Sequence, residues 1–369
     1  MHSDAVLWIV VGTAITFDFT NGFHDTANAI ATSVSTRAMS PRVAVAMSAT
    51  LNFVGAFLSL EVAATIAKGI VDAGSVTLLT VFAGLVGAIA WNLATWALGL
   101  PASSSHALIG GVVGATIAAH GTGAVLWDGI VEKVAVPAII APVLAMAAAA
   151  IAILVIYRIV GRQSPGVVSR GFRLGQILSG ALFSLSHGTN DAQKTMGIIF
   201  LALVANGNLA ANADVPVWVI IVSATAIAVG TYVGGWRIIR TMGSRIIKMD
   251  PAQGFAAQAV GAAVILSASH VGFPLSTTHV ANGGIMGAGA AKRLSAVRWG
   301  VAGNIVVAWV LTLPCSAAVG ALTYGVVRLF GTGSAGPVVV VVVLVGLGLG
   351  AWLVRRAPRP PTVAAEGPG

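Results

Sequence analysis

The chain has 369 residues, of which 57% are hydrophobic and only 8% charged, with a mean hydropathy of +0.93. A soluble globular domain carries about 25% charged residues, so that class is excluded. The formal net charge of +9 does not point to nucleic acid either, because Lys and Arg sit in short loops between apolar runs, as topology signals do.

Long apolar runs recur throughout, which predicts an all-α integral membrane protein. The short alternating segments of a membrane β-barrel are missing from the sequence. The 45 glycines suit close helix packing in lipid. Cys315 is alone, so no disulfide framework or Cys metal cluster exists. The N-terminus lacks the basic region and cleavage site of a signal peptide, and its first run reads as a retained helix.

That first run, about Ala5 to Val34, exceeds the ~20 residues of one straight span. A polar island, Asn21 to Asn28 (N-G-F-H-D-T-A-N), lies inside it, and a break or re-entrant turn is expected there. A basic loop (Arg37, Arg42), a span near 43–60 and a weakly charged loop (Glu61, Lys68, Asp72) follow. After a span near 76–98, Pro101-Ala102-Ser103-Ser104-Ser105-His106 opens a run to Ala119. The loop 120–133 holds Asp128 and Glu132 against one Lys, and a span near 134–157 closes the half.

Beyond a connector with Arg158, Arg162, Arg170 and Arg173 the plan repeats. The run 174–204 contains a second island, Ser186 to Lys194 (S-H-G-T-N-D-A-Q-K), in which Gly188 and Asp191 keep the spacing of Gly22 and Asp25. The loop 205–216 has Asp214 and no Lys or Arg. A span near 217–235 precedes a loop with Arg237, Arg240, Arg245 and Lys248. After 254–270 comes Pro274-Leu275-Ser276-Thr277-Thr278-His279, and then a loop with Lys292, Arg293 and Arg298. The span 299–327 ends the repeat, and a last helix near 338–354 precedes Arg355, Arg356 and Arg359.

Pro101, Ser103, Ser104, Ser105, His106, Gly110, Gly111 and Gly114 align without gaps with Pro274, Ser276, Thr277, Thr278, His279, Gly283, Gly284 and Gly287. A shared Gly/Ala/Ser bias would not place Pro and His in register. Every equivalent loop also changes its charge bias between the halves. Under the positive-inside rule that makes two repeats of opposite topology, an arrangement of secondary transporters with a midplane site. The expected architecture is about 10–12 transmembrane helices in two inverted repeats with broken or re-entrant helices. Its divisions are residues 1–157, a short basic cytoplasmic connector at 158–173, a second repeat at 174–330, and a final helix with a basic cytoplasmic tail at 331–369. The N-terminus is expected outside and the C-terminus in the cytoplasm.

Pro-x-Ser-Ser-Ser-His and Pro-x-Ser-Thr-Thr-His read as starts of half-helices, whose free N–H groups and hydroxyls can hold an anion. Ser and Thr are also common packing residues in membrane helices, and only the doubled register favours a ligand role. Asp25 and Asp191 would repel an anion, so they should hold a cation, take up a proton or accept from a protonated anion. Asn21, Asn28 and Asn190 could complete an oxygen shell around a hard cation. Asp18, one turn before Asn21, extends the acidic face, and Lys194 could pair with Asp191 or face the anion. The bland alternative is a structural ion pair. His24, His106, His187 and His279 suit hydrogen-bonding links or proton carriage better than zinc, since no H-x-x-x-H or Cys accompanies them. Enzyme signatures such as G-x-S-x-G, H-E-x-x-H and a P-loop are missing, whereas a pore would also suit paired carboxylates and hydroxyl rings.

At these motifs the chain resembles the PiT family of inorganic phosphate transporters, and its bacterial low-affinity branch in particular. Ala308-Trp309-Val310-Leu311-Thr312-Leu313-Pro314 resembles that family's last repeat segment. The resemblance implies symport of phosphate, or metal-phosphate with Mg2+ or Ca2+, into the cell across the plasma (inner) membrane, with H+ ahead of Na+ as coupling cation and no other cofactor. On this basis the expected phosphate set is Ser103, Ser104, Ser105, Ser276, Thr277, Thr278, Thr26, Gln193 and Lys194. The expected cation or proton set is Asp25, Asn28, Asn21, Asp191, Asn190 and His24, with Asp25 and Asp191 the ligands if a metal ion binds. His24 stands where the wider family has Asn, and the 158–173 connector lacks the large soluble insertion of many members. Expected partners are phosphate and the lipid bilayer, with a homodimer as the assembly option and no nucleic acid. Sulfate or a related oxyanion is the alternative substrate, and an anion channel the alternative mechanism.

Overall fold

The computed structural model describes residues 4–72 and 74–356. Helix follows helix. The first half holds α1 (Asp4–Ser35), α2 (Pro41–Gly55), α3 (Glu61–Lys68), α4 (Leu78–Leu98), α5 (Ser104–His120) and α6 (Trp127–Ile130), which passes through a π turn at Val131–Ala135 into α7 (Val136–Val160). The second half repeats the order as α8 (Pro165–Ala205), α9 (Val217–Val233), α10 (Trp236–Arg240), α11 (Pro251–His270), α12 (Thr277–Ala290) and α13 (Trp299–Arg328), followed by α14 (Ala335–Arg356). Among the described residues β structure is limited to an isolated bridge between Val71 and Val125.

The first island does not break its helix, contrary to the expectation from run length, and the second lies within an unbroken helix too. α1 continues for 32 residues and α8 for 41. Polar side chains on the islands bond to neighbouring helices, so the backbone ladder need not open. Their glycines admit close neighbours instead: a Cβ on Gly22 would meet the α9 backbone at Ile227 and Thr231, and one on Gly188 would meet Asn52 of α2. Breaks occur at the prolines. Residues 99–103 and 271–276 are non-helical turns joining α4 to α5 and α11 to α12. Ser103 and Ser276 cap the new helices, accepting from His106 N at 3.1 Å and His279 N at 3.2 Å.

Other expected loops are helical as well. The Glu61–Asp72 stretch holds α3, and the Arg237–Lys248 stretch holds α10 and a π turn at Thr241–Arg245. Most of the 158–173 connector is helix, because α7 reaches Val160 and Pro165 suits the first turn of α8. Among the described residues five helices are long and apolar enough to cross a membrane, and α9 with the α10 segment to Arg245, bent by 58°, makes a sixth. α2, α5 and α12, at 15, 17 and 14 residues, are shorter than the ~20 that a straight crossing needs.

Two apolar cores flank the islands. One gathers Val6–Phe17 of α1 with α4, α5 and the Ala192–Leu203 part of α8, and the other gathers Ala27–Ala31 with α7, α11 and α12. Packing crosses between the halves: α5 lies chiefly against α13, and α12 against α7. The aligned glycines make this possible. Gly110 and Gly114 abut the α13 backbone at Leu313 and Ala317, while Gly283 and Gly287 abut α7 at Pro142 and Met146.

Candidate functional site

Between the two cores, the middles of α1 and α8 meet the starts of α5 and α12. Asp25 and Asp191 are 2% and 0% exposed. Thr277 Oγ1 lies between them, 3.4 Å from Asp25 Oδ2 and 3.2 Å from Asp191 Oδ2. Ser104 donates to Asp25 Oδ1 at 3.2 Å. Asn28 donates to Thr277 Oγ1 at 3.2 Å and to Thr278 Oγ1 at 2.9 Å. Lys194 spends its three N–H groups on Asp191 Oδ1, on Ser105 Oγ at 2.6 Å and on the Leu275 carbonyl at 2.9 Å. Ser105 in turn donates to Leu275 O at 3.2 Å, tying one hairpin turn to the other.

Each carboxylate faces a histidine. His24 Nδ1 lies 2.6 Å from Asp25 Oδ1, and its Nε2 lies 3.0 Å from Thr95 Oγ1. The Thr95 hydroxyl proton goes to Trp91 O at 2.8 Å, so Thr95 accepts and His24 Nε2 carries a hydrogen. The short Nδ1–Oδ1 contact then requires one further proton between His24 and Asp25. His187 Nε2 stands 3.1 Å from Asp191 Oδ2, with Nδ1 at 3.2 Å from Asn52 Oδ1. Asn52 Nδ2 donates to Thr231 at 2.8 Å, leaving its Oδ1 to accept from His187 Nδ1–H. Nε2 would then turn a lone pair toward Asp191 unless a proton occupies that contact. Each carboxylate thus has an imidazole nitrogen within 3.1 Å, but only the His24–Asp25 contact is a hydrogen bond, since His187 Nε2 has no hydrogen-bond partner. Asp25, His187 and Asp191 also each place a ligand atom within 4.8 Å of the others, a spacing one cation could use.

Several expected residues stand elsewhere. Gln193 caps α3: its carbonyl oxygen accepts from Val62 N at 2.8 Å and Ala63 N at 3.2 Å, and its amide donates to Thr189 O. Thr26 donates to Gly22 O and Thr231 O on the α9 side. Asn190 donates to Ser269 and to Phe273 O rather than toward Asp191. Asn21 has a buried Oδ1 without a hydrogen-bond partner. His106 and His279 face one another edge-on, ring centres 4.8 Å apart, and His279 rests on Trp309 at 4.0 Å. Asn52 and Thr95, which orient the two histidines, were missed in the sequence. Their signal was a buried polar residue on an otherwise apolar helix.

The sequence profile of the phosphate transporter family matches residues 21–320, which include both islands and both hairpin turns. The chain belongs to that family. Its members are transporters, not enzymes, and this transporter is a multi-pass membrane protein. It is 58% identical over 327 residues to a probable low-affinity inorganic phosphate transporter of Mycobacterium tuberculosis, covering 88% of this chain and 78% of that one. A protein of the same description from Bacillus subtilis is 46% identical over 327 residues, covering 87% and 97%. Among solved structures, a sodium-dependent phosphate transporter superposes with a TM-score of 0.75 at 25% identity, covering 88% of this chain and 99% of that one.

Proposed function

We propose that the chain is a low-affinity importer of inorganic phosphate that couples uptake to protons by alternating access. The observation that carries this reading is the pair of His–Asp contacts beside Lys194. With one proton in each contact, both pairs are neutral and Lys194 leaves a net charge of +1. Monovalent phosphate then brings the site to neutrality. Without those protons two carboxylates outweigh one ammonium, and the anion is repelled in a medium of low dielectric. Phosphate is held by Lys194 and the hydroxyls of Ser104, Ser105, Thr277 and Thr278, with the N–H groups at the starts of α5 and α12. Ser103 and Ser276 shape those starts as caps. Import of two protons with one H2PO4− moves one positive charge inward. The loop-charge bias supports an external N-terminus and a cytoplasmic C-terminus.

Sodium coupling is the second reading, favoured by the name of the solved relative and by the cation-sized spacing of Asp25, His187 and Asp191. Labelled-phosphate uptake into proteoliposomes separates the two. An inward proton gradient in sodium-free buffer should drive accumulation, acidify the lumen and carry inward positive current. Accumulation that needs sodium and ignores the proton gradient refutes proton coupling. Linear, unsaturable flux without counterflow would indicate a channel, and inhibition by equimolar sulfate would indicate a broader oxyanion site.

A further inference from the structure

A buried polar track leads away from the site in one direction. Asn282 of α12 donates to Thr278 O at 2.8 Å, beside the hydroxyl that Asn28 holds. Gln258 of α11 donates to Ala29 O at 2.7 Å, lies within hydrogen-bond reach of Ser33 and accepts from Ser179 at 3.2 Å. Thr36, just past the end of α1, donates to the Gln176 amide oxygen at 2.6 Å. The track ends there, next to the basic loop of Arg37 and Arg42 that the positive-inside rule assigns to the cytoplasm. All six side chains are buried, so the track is shut in this state.

The repeat shows that packing does not require these groups. With the halves aligned on Asp25 and Asp191, and on Pro101 and Pro274, the equivalents of Gln176, Gln258, Asn282, Ser33 and Thr36 are Val10, Leu85, Ile109, Ile199 and Ala202. All five belong to the first apolar core. Ser179 corresponds to Thr13, which only bonds back to Ile9 O at 2.7 Å. Gly180 and Gly254 leave the space that the Gln258 and Gln176 amides fill, where the other half has Ala14 and Val81. The same junction is therefore sealed with carbon on one side and lined with amides and hydroxyls on the other. Asn282 Oδ1 and Gln176 Nε2 have no hydrogen-bond partner. Such atoms are costly while buried and gain partners once water or an anion enters. Neutral donors also suit passage, since they bind an anion weakly enough to let it go, and no carboxylate stands among them to repel it.

We infer that this track is the route by which phosphate leaves the site for the cytoplasm, with Gln258 and Asn282 at its inner gate. The inference rests on the reading of the chain as an importer, but cysteine labelling needs no phosphate, so the two can fail separately. The full-length protein with Cys315→Ala, carrying Ser33→Cys or Ser179→Cys, is treated in inside-out membrane vesicles with a membrane-impermeant maleimide. Both cysteines should react from the cytoplasmic face and not from the outer face, and the modified protein should no longer carry phosphate. Gln258→Leu and Asn282→Ile install the residues of the first half. Each should leave phosphate binding unchanged while slowing uptake and counterflow about tenfold. Cysteines that stay unmodified while Arg162→Cys in the exposed connector reacts fully overturn the route, and so does labelling from the outer face alone. Wild-type uptake by both apolar variants removes the gate. Labelling decides the route even where an apolar variant fails to fold.

Discussion

Lys194→Met tests the electrostatic logic of the site most directly. Lys194 is 1% exposed and is held by Asp191, Ser105 and the Leu275 carbonyl. An ammonium about 4 Å from an anion contributes about 4 kcal/mol at an effective dielectric of ~20. At ~1.4 kcal/mol per tenfold, its loss should raise the half-saturating phosphate concentration about a thousandfold. The same change breaks the buried Lys194–Asp191 ion pair, which costs the fold about 3–5 kcal/mol. Stability and binding are separated by Lys194→Met combined with Asp191→Asn, where neither charge remains. The double variant should regain most of the lost thermal stability while phosphate binding stays absent. The assay is labelled-phosphate binding to detergent-purified protein beside a melting curve on the same sample. A folded Lys194→Met protein whose half-saturation rises less than about tenfold would refute the placement of the ammonium against phosphate.

Asp25→Asn and Asp191→Asn should each abolish proton-driven uptake in proteoliposomes while the protein remains monodisperse by size exclusion; normal uptake by both would remove the carboxylates from coupling. Gln193→Leu should lower stability by about 1 kcal/mol through loss of the α3 cap and leave the phosphate KM unchanged, which a combined melting and uptake series would show. Gly188→Ala should force α8 away from Asn52 of α2, costing about 1–3 kcal/mol and lowering the melting temperature.

The doubled motifs were legible because each couples a helix start to a charge: Pro101 and Pro274 end one segment, and Ser103 and Ser276 cap the next. Carboxylates in apolar runs announced Asp25 and Asp191 for the same reason, the cost of burying them. Two things were not legible. A break is read from polarity in α1, yet a helix can bury polar side chains intact when neighbouring helices offer partners, as Asn52 and Thr95 do. The job of Gln193 was also hidden, because it depends on the start of α3, 131 residues away. Register between distant helices decides such cases, and local pattern carries no record of it.

The exchange of packing between the halves bears on what can move. α5 begins in the first half but leans on α13 from the second, and α12 leans on α7. With glycines against backbone at Gly114 and Gly287, those contacts leave little room to slide. A hinge that separated residues before the connector from those after it would tear both seams at once. The tightly packed bodies are therefore mixed, each holding a hairpin from one repeat and the closing helix of the other. Expressed alone, either half would present its hairpin without the wall it is built against.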